Sequence, residues 1–249
     1  NISSFAALIA AAANVPVAKH GNRAISSKSG SADFFQALGI PIELNEAQAV
    51  ESLKKHRFAF LFAPIYHEAM KHAAPVRKDI GIKTIMNLLG PLANPAGAQY
   101  QLIGVYDGKL CKPIAQAASL LGIRRALIVH GMDGIDEISV AAPSLLVWLK
   151  EDGTLVEETF DPQSLGIPRF RGEELLGSDA EGNAEVALDI ARGRGPEALK
   201  QAVLLNGGAA FAVYGKTKNL EEGYRLAQET LESGAVLEKI HALQGEEKA

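Results

Sequence analysis

The sequence has one cysteine, Cys111, in 249 residues. That excludes an internal disulfide and any cysteine-rich metal site, and a lone thiol fits a reducing compartment. No uninterrupted apolar run reaches the roughly 18 residues of a membrane span. The apolar start, Asn1 to Ala10, lacks the basic region of a secretory signal. No charge sign dominates: 25 Lys and Arg against 29 Asp and Glu leave a net −4, so nothing overall suggests a nucleic-acid binder. Internal repeats and low-complexity linkers are absent. No Gly-x-Ser-x-Gly elbow supports a hydrolase triad. No Walker A sequence occurs, and no Gly-x-Gly-x-x-Gly follows a strand, which disfavours P-loop ATPases and dinucleotide enzymes. His67, His72 and the carboxylates lack a zinc spacing.

What is present is apolar enough, at 47% hydrophobic residues, to fill a sizeable core. Ser3 to Asn14 is rich in alanine and reads as a buried helix. Val15 to His20 reads as a short buried strand. Ala32 to Leu38 is a helix stopped by Gly39, and Asn45 is a plausible N-cap for a helix to Lys55. Phe58 to Ala63 reads as a strand buried on both faces, ended by Pro64, with a helical stretch through His67 and Met70. A helical segment over Gly81 to Leu89 precedes a loop at Gly90 to Gly97. Strands are expected at Gln101–Tyr106 and Arg125–His130, with a helix from Lys109 to Leu121 between them. The strand–helix–strand rhythm predicts an α/β fold with a mostly parallel central sheet and helices on both faces. Glu151-Asp152-Gly153 between two apolar runs predicts an antiparallel hairpin at the sheet edge. The remainder reads as helical, with helices at Pro196–Ala212, Asn219–Ser233 and Ala235–Leu243. Gly207-Gly208 marks close packing or a break.

Four constellations can carry chemistry. Asn1-Ile2-Ser3-Ser4 opens a helix, where such side chains cap N–H groups or help hold a phosphate. Lys19 to Ser31 combines glycines, serines and three cations directly after an apolar run. A strand emptying into such a loop presents N–H groups and positive charge to an anionic, phosphorylated ligand, the alternative being a polar surface loop. Lys19 can neutralise phosphate as a point charge, and Ser26, Ser27, Ser29 and Ser31 can hydrogen-bond its oxygens. His20 and Asn22 suit the polar edge of a neutral substrate. Asp136-Glu137, beyond a buried strand, is a seat for Mg²⁺ or a solvated acidic turn. Arg77, near His67, can hold a carboxylate bidentately.

Taken in order, these blocks resemble the anthranilate phosphoribosyltransferase family of tryptophan biosynthesis. The carrying stretches are Asn1–Ser4, Lys19–Arg23 with Ser26–Asp33, Tyr66-His67 with Pro75–Lys78, Asn87–Pro95, and Asp136-Glu137. The resemblance implies a large α/β domain over residues 1–249, with 64–95 contributing helices to a small helical domain. Most of that small N-terminal domain is missing, and the family's first glycine-rich phosphate loop would precede Asn1. The chain also lacks an initiating Met. It is therefore expected to be an N-terminally truncated copy, of lower turnover than a version extended upstream.

The family transfers 5-phosphoribose from its 1-diphosphate to the amine of anthranilate. Carried over by residue, Asn1, Ser3, Ser4, Lys19, His20, Gly21, Asn22, Arg23, Ala24, Ile25, Ser26, Ser27 and Ser31 would surround phosphoribosyl diphosphate. Ser3, Asp136 and Glu137 would hold Mg²⁺, partly through water. Asn22 and Arg77 would meet anthranilate, with His20 and His67 lining its path. No residue is assigned as general acid or base. A cytoplasmic homodimer is implied, with no nucleic-acid or membrane partner. The alternatives are a pyrimidine nucleoside phosphorylase, which shares the fold and a similar Lys-His loop, and a non-catalytic nucleic-acid-binding relative.

Overall fold

A computed structural model describes residues 1–24, 28–67 and 90–245. The first part holds α1 (Ile2–Ala12), β1 (Val17–Gly21), α2 (Ser31–Ala37), α3 (Glu46–His56), β2 (Phe58–Phe62) and the short α4 (Ala63–Tyr66). β3 (Tyr100–Gly104) is followed by α5 (Cys111–Leu120), β4 (Arg125–Gly131) and the hairpin of β5 (Ser144–Leu149) and β6 (Leu155–Phe160). α6 (Ala180–Ala191), α7 (Glu197–Tyr214), α8 (Leu220–Glu232) and α9 (Ala235–Gln244) complete the described chain.

Local chemistry explains most boundaries. Asn45 and Gln48 cap α3 reciprocally: each backbone N–H donates to the other side chain, at 3.0 Å. Asn219 accepts from the Glu222 N–H at 2.8 Å to open α8, and Pro196 sits at the N-cap of α7, where its missing N–H costs little. Pro64 lies in the first turn of α4. The expected helices at 68–70 and 81–89 fall outside the described residues, as does most of the 64–95 addition. Residues 90–92, expected as loop, are helical, with a turn closed by Ala93 N–H donating to the Gly90 carbonyl at 3.3 Å.

The α/β class is as expected, and the strands divide between two sheets. β1 and β2 are parallel, with Lys19 opposite Phe60. The second sheet runs β3-β4-β5-β6, with β3 parallel to β4 and the other pairings antiparallel. β4 is covered on both faces. Leu127 and Val129 join the larger core with Leu8 and Ile9 of α1 and Leu204 and Leu205 of α7. Ala126 and Ile128 join a second core with Cys111, Ile114 and Ala118 of α5. This alternation is the period-two signature of a strand packed between layers. β2 is buried throughout. β1, expected as buried, is half-buried over all five residues, because all five line a cavity.

Gly207-Gly208 produces close packing rather than a break, and α7 runs on unbroken to Tyr214. A Cβ on Gly208 would stand 2.5 Å from the Tyr224 backbone nitrogen, and one on Gly207 would touch Ile9 at 3.1 Å. The glycines therefore let α7 meet α8 backbone to backbone and seat α1 beside it. Gly208→Ala is expected to destabilise the protein by about 1–3 kcal/mol through overpacking, despite a helix-propensity gain of about 1 kcal/mol. Gly172→Ala, where no atom lies within 4 Å of the added Cβ, should stay within about 0.5 kcal/mol of the parent. Urea unfolding of the two variants checks the contrast.

Candidate active site

Three elements bring opposite charges together at one rim of the fold. Ser3 lies in the first turn of α1, Lys19 in the middle of β1, and Glu137 on the loop after β4. The Ser3 N–H donates to Glu137 Oε1 at 3.2 Å, and Lys19 Nζ donates to Ser3 Oγ at 3.3 Å. Ser3 thus links cation to carboxylate. Its backbone N–H is one of the orphan donors of a helix N-terminus, where negative charge is favoured. Asp136 is exposed beside Glu137. Its carbonyl lies against Gly104 at the end of β3, so closely that a Cβ on that glycine would collide with it. Gly104 is what lets the acidic loop cross the strand end.

The groups open on a cavity of about 1220 Å³, larger than the 300–1,000 Å³ typical of small-ligand pockets. Its apolar wall includes Ala6, Ala7 and Ala10 of α1, Val129 of β4, and Ala210 and Val213 of α7. Lys19, His20, Asn22, Arg23, Asp136 and Glu137 supply the polar lining. β1 and β3 both present residues to it and are not paired with each other.

The electrostatics are those of charge held in a poorly hydrated recess. Loss of hydration and the neighbouring Asp136 push the Glu137 carboxyl up to about 7, against the pull of Lys19 and the Ser3 N–H. Burial lowers Lys19, while Glu137 and Asp136 act to keep it charged. Burial and the neighbouring His67 lower His20. The His20 and His67 rings meet edge to face, with centroids 4.9 Å apart, and His67 Nε2 lies 2.9 Å from the Ala93 carbonyl.

The loop after β1 is tied at its base by Asp33 of α2. Asp33 Oδ2 accepts from Ala24 N–H at 2.9 Å and Gly30 N–H at 3.0 Å, and its Oδ1 accepts from Arg23 at 3.0 Å. One carboxylate therefore holds both ends of the loop together. Asn1 caps no N–H of α1 with its side chain. Instead its Oδ1 accepts from Ser29 Oγ at 2.9 Å and from Asn183 Nδ2 of α6 at 3.0 Å.

Ser3, Lys19, His20, Gly21, Asn22, Arg23, Ala24, His67, Asp136 and Glu137 all line the one cavity. Asn1, Ser4 and Ser31 are not among its lining residues. Ser4 is buried in α1, one helical step of about 100° from Ser3, and Ser31 Oγ donates to the Asn22 carbonyl at 3.4 Å. Ile25, Ser26, Ser27 and Arg77 lie outside the described residues. Asn183 and Gly104 were not singled out from the sequence, and Asp33 was noted only as the end of the Ser26–Asp33 block, with no role. For Asp33 a signal existed, an acid three residues into a helix after Gly30, where a carboxylate reaches back to free N–H groups.

A model of the α/β domain of a glycosyl transferase family matches residues 1–237. The anthranilate phosphoribosyltransferase of Persephonella marina is 44% identical over 243 residues, 98% of this chain and 71% of that protein. That of Petrotoga mobilis is 46% identical over 244 residues, 98% of this chain and 70% of its own. Among solved structures, anthranilate phosphoribosyltransferase from Thermus thermophilus superposes with a TM-score of 0.92 at 41% identity, over 100% of this chain and 74% of that one. The Saccharomyces cerevisiae enzyme, solved in complex with phosphoribosyl diphosphate and Mg, gives 0.87 at 27% identity, over 97% and 68%. The chain belongs to the anthranilate phosphoribosyltransferase family.

Asp33 gives the site a pH dependence. Burial acts to raise its carboxyl, but the Ala24 and Gly30 N–H groups and the Arg23 guanidinium outweigh burial and lower it. A lowered folded-state value contributes stability above the unfolded carboxylate value of about 3.9, and loses it as pH falls through the folded value. Asp33→Asn should therefore be less stable than the parent at pH 7, with the gap closing toward pH 3. Urea unfolding at the two pH values reads it, and a gap unchanged between them contradicts the assignment.

Proposed function

We propose that the protein transfers 5-phosphoribose from 5-phosphoribosyl 1-diphosphate to the amine of anthranilate, releasing diphosphate, in tryptophan biosynthesis. Family membership supports the reaction. The observation that carries the reading to these residues is the convergence of Lys19, Ser3 and Glu137 on one large cavity.

Mg²⁺ is the metal whose chemistry fits. Among the described residues no group of three or more His, Cys, Asp or Glu could hold a metal ion. Two carboxylates and a hydroxyl instead offer hard oxygen donors and leave positions for substrate oxygens, the usual arrangement for Mg²⁺. In this reading Ser3, Asp136 and Glu137 hold it, partly through water. Bound there, Mg²⁺ supplies electrostatic stabilisation of the departing diphosphate.

The chain's own residues supply binding and orientation. Lys19 faces the leaving diphosphate as a point charge, its cationic form favoured by the neighbouring acids against the effect of burial. The segment from Lys19 to Ala24, continued by Ile25, Ser26 and Ser27, hydrogen-bonds the phosphates, with Asn1, Ser4 and Ser31 supporting it. Asn22 and Arg77 orient anthranilate, and His20 and His67 line its path. Burial lowers His20 and so favours its neutral form at pH 7. The aromatic amine is already unprotonated at neutral pH. Its nitrogen lone pair forms the bond to ribose C1 as the C1–O bond breaks, the electron pair leaves with diphosphate, and one amine proton passes to solvent. No general acid or base is required, so alignment supplies much of the acceleration.

The same reading places the protein in the cytoplasm as a homodimer, with no nucleic-acid or membrane partner. Among the described residues no helix is long and apolar enough to cross a membrane. The deciding assay mixes the protein with anthranilate, phosphoribosyl diphosphate and Mg²⁺, and follows phosphoribosylanthranilate and diphosphate. Equal amounts of the two products are expected, and Lys19→Ala should lower kcat/KM by about 10²-fold or more. Phosphorolysis of thymidine with no reaction of anthranilate would overturn the reading in favour of a nucleoside phosphorylase.

A further inference from the structure

The acidic loop that carries Asp136 and Glu137 is gripped from behind by a side chain that touches no part of the cavity. Asn206 lies in the middle of α7 within Leu204-Leu205-Asn206-Gly207-Gly208 and is fully buried. Its Oδ1 accepts from the Ile138 N–H at 3.0 Å. Its Nδ2 donates to the Ile138 carbonyl at 2.9 Å and to the Ala202 carbonyl at 2.9 Å. The amide thus engages both backbone polar groups of Ile138, as a neighbouring strand would, while its other N–H anchors it to its own helix. Both N–H donors are used, and a buried amide in this state has one orientation.

Ile138 directly follows Glu137. Fixing both of its backbone groups fixes where the preceding peptide, and hence the Glu137 Cα, lies relative to α7. The rest of the loop is held by shorter-range contacts. Ser139 Oγ donates to Asp133 Oδ2 at 2.7 Å, Ser139 N–H donates to Ser144 Oγ at 2.9 Å, and Gly131 N–H donates to the Ile135 carbonyl at 2.9 Å. Those bonds shape the loop internally and tie it to β5. The Asn206 clamp ties it to α7, which also packs against α1 where Gly207 faces Ile9. Ser3 of α1 in turn donates its N–H to Glu137. The clamp and Ser3 therefore hold the acid and its partner to one common helix.

We propose that Asn206 is a positioning residue that sets the acidic pair for a divalent cation and the diphosphate of the substrate. The proposal rests on the phosphoribosyltransferase reading. Its mechanism is geometric: a carboxylate reaches a metal and a shared phosphate oxygen only from a narrow range of positions. Replacing the amide with an apolar group of similar size leaves the Ile138 N–H and carbonyl without their partner and frees the loop.

The test uses this chain with Asn206→Leu, Asn206→Asp and, as a stability control, Ser52→Ala. Ser52 is a buried hydroxyl that donates to the Phe58 carbonyl, and it does not line the cavity. Mn²⁺ is titrated in the presence of saturating phosphoribosyl diphosphate and followed by electron paramagnetic resonance. Asn206→Leu is expected to weaken Mn²⁺ binding about tenfold, and Ser52→Ala to leave it unchanged. Asn206→Asp keeps the acceptor for Ile138 N–H but sets a carboxylate oxygen against two carbonyls, so it should also weaken Mn²⁺. Unchanged Mn²⁺ affinity in folded Asn206→Leu and Asn206→Asp would overturn the proposal. If neither variant folds, hydrogen exchange on the parent decides. The Ile138 amide should exchange as slowly as the interior of α7, and rapid exchange would overturn the clamp. Failure of the parent itself to bind Mn²⁺ with phosphoribosyl diphosphate would instead overturn the reading on which the proposal rests.

Discussion

A lysine and a glutamate share a poorly hydrated wall here because each answers the other's charge. Moving either alone from water into such a recess is costly, and removing one partner strands the other. The shifts show that balance: Glu137 rises to about 7 and Lys19 falls, each driven by lost hydration and opposed by its partner. Ser3 completes the arrangement by donating to the acid and accepting from the lysine. In the proposed reading the site also meets a metal-bound polyanion, whose charges would complete the field.

The rest of the fold delivers those three residues to one place. α1 approaches closely because it is built from alanines and lies where α7 carries a glycine, and α7 meets α8 through Gly208 and Gly223. β1 is pinned to β2 in parallel register, which carries Lys19 to the cavity. β4 is sandwiched between two cores and releases the acidic loop at its end, where Gly104 leaves room for it. These are packing devices, yet their consequence is the position of a carboxylate.

Much of this was legible from local signals. The Asn45 cap, the Glu151-Asp152-Gly153 hairpin and the doubly buried β2 each follow from short-range patterns, and the structure bears them out. The ordered blocks from Asn1 to Glu137 pointed to the family, and ten of the expected site residues line the same cavity. What escaped depends on distant partners. β1 was expected to be buried from its apolar residues, but its exposure is set by a cavity whose other wall comes from β3 and β4. Asn206 acts on a loop elsewhere in the fold. For Asn206 a hint was present, since an amide inside the apolar run from Ala202 to Val213 must find hydrogen-bond partners; which partners, 68 residues away, no helical pattern could say.

The most direct test of the central claim is calorimetric titration of phosphoribosyl diphosphate into the protein, with Mg²⁺ and with the metal chelated, for the parent and for Glu137→Gln. The account predicts one site per chain, tight binding only with Mg²⁺, and loss of that metal dependence in Glu137→Gln. Binding of equal strength with and without Mg²⁺, and unaltered by Glu137→Gln, would contradict it.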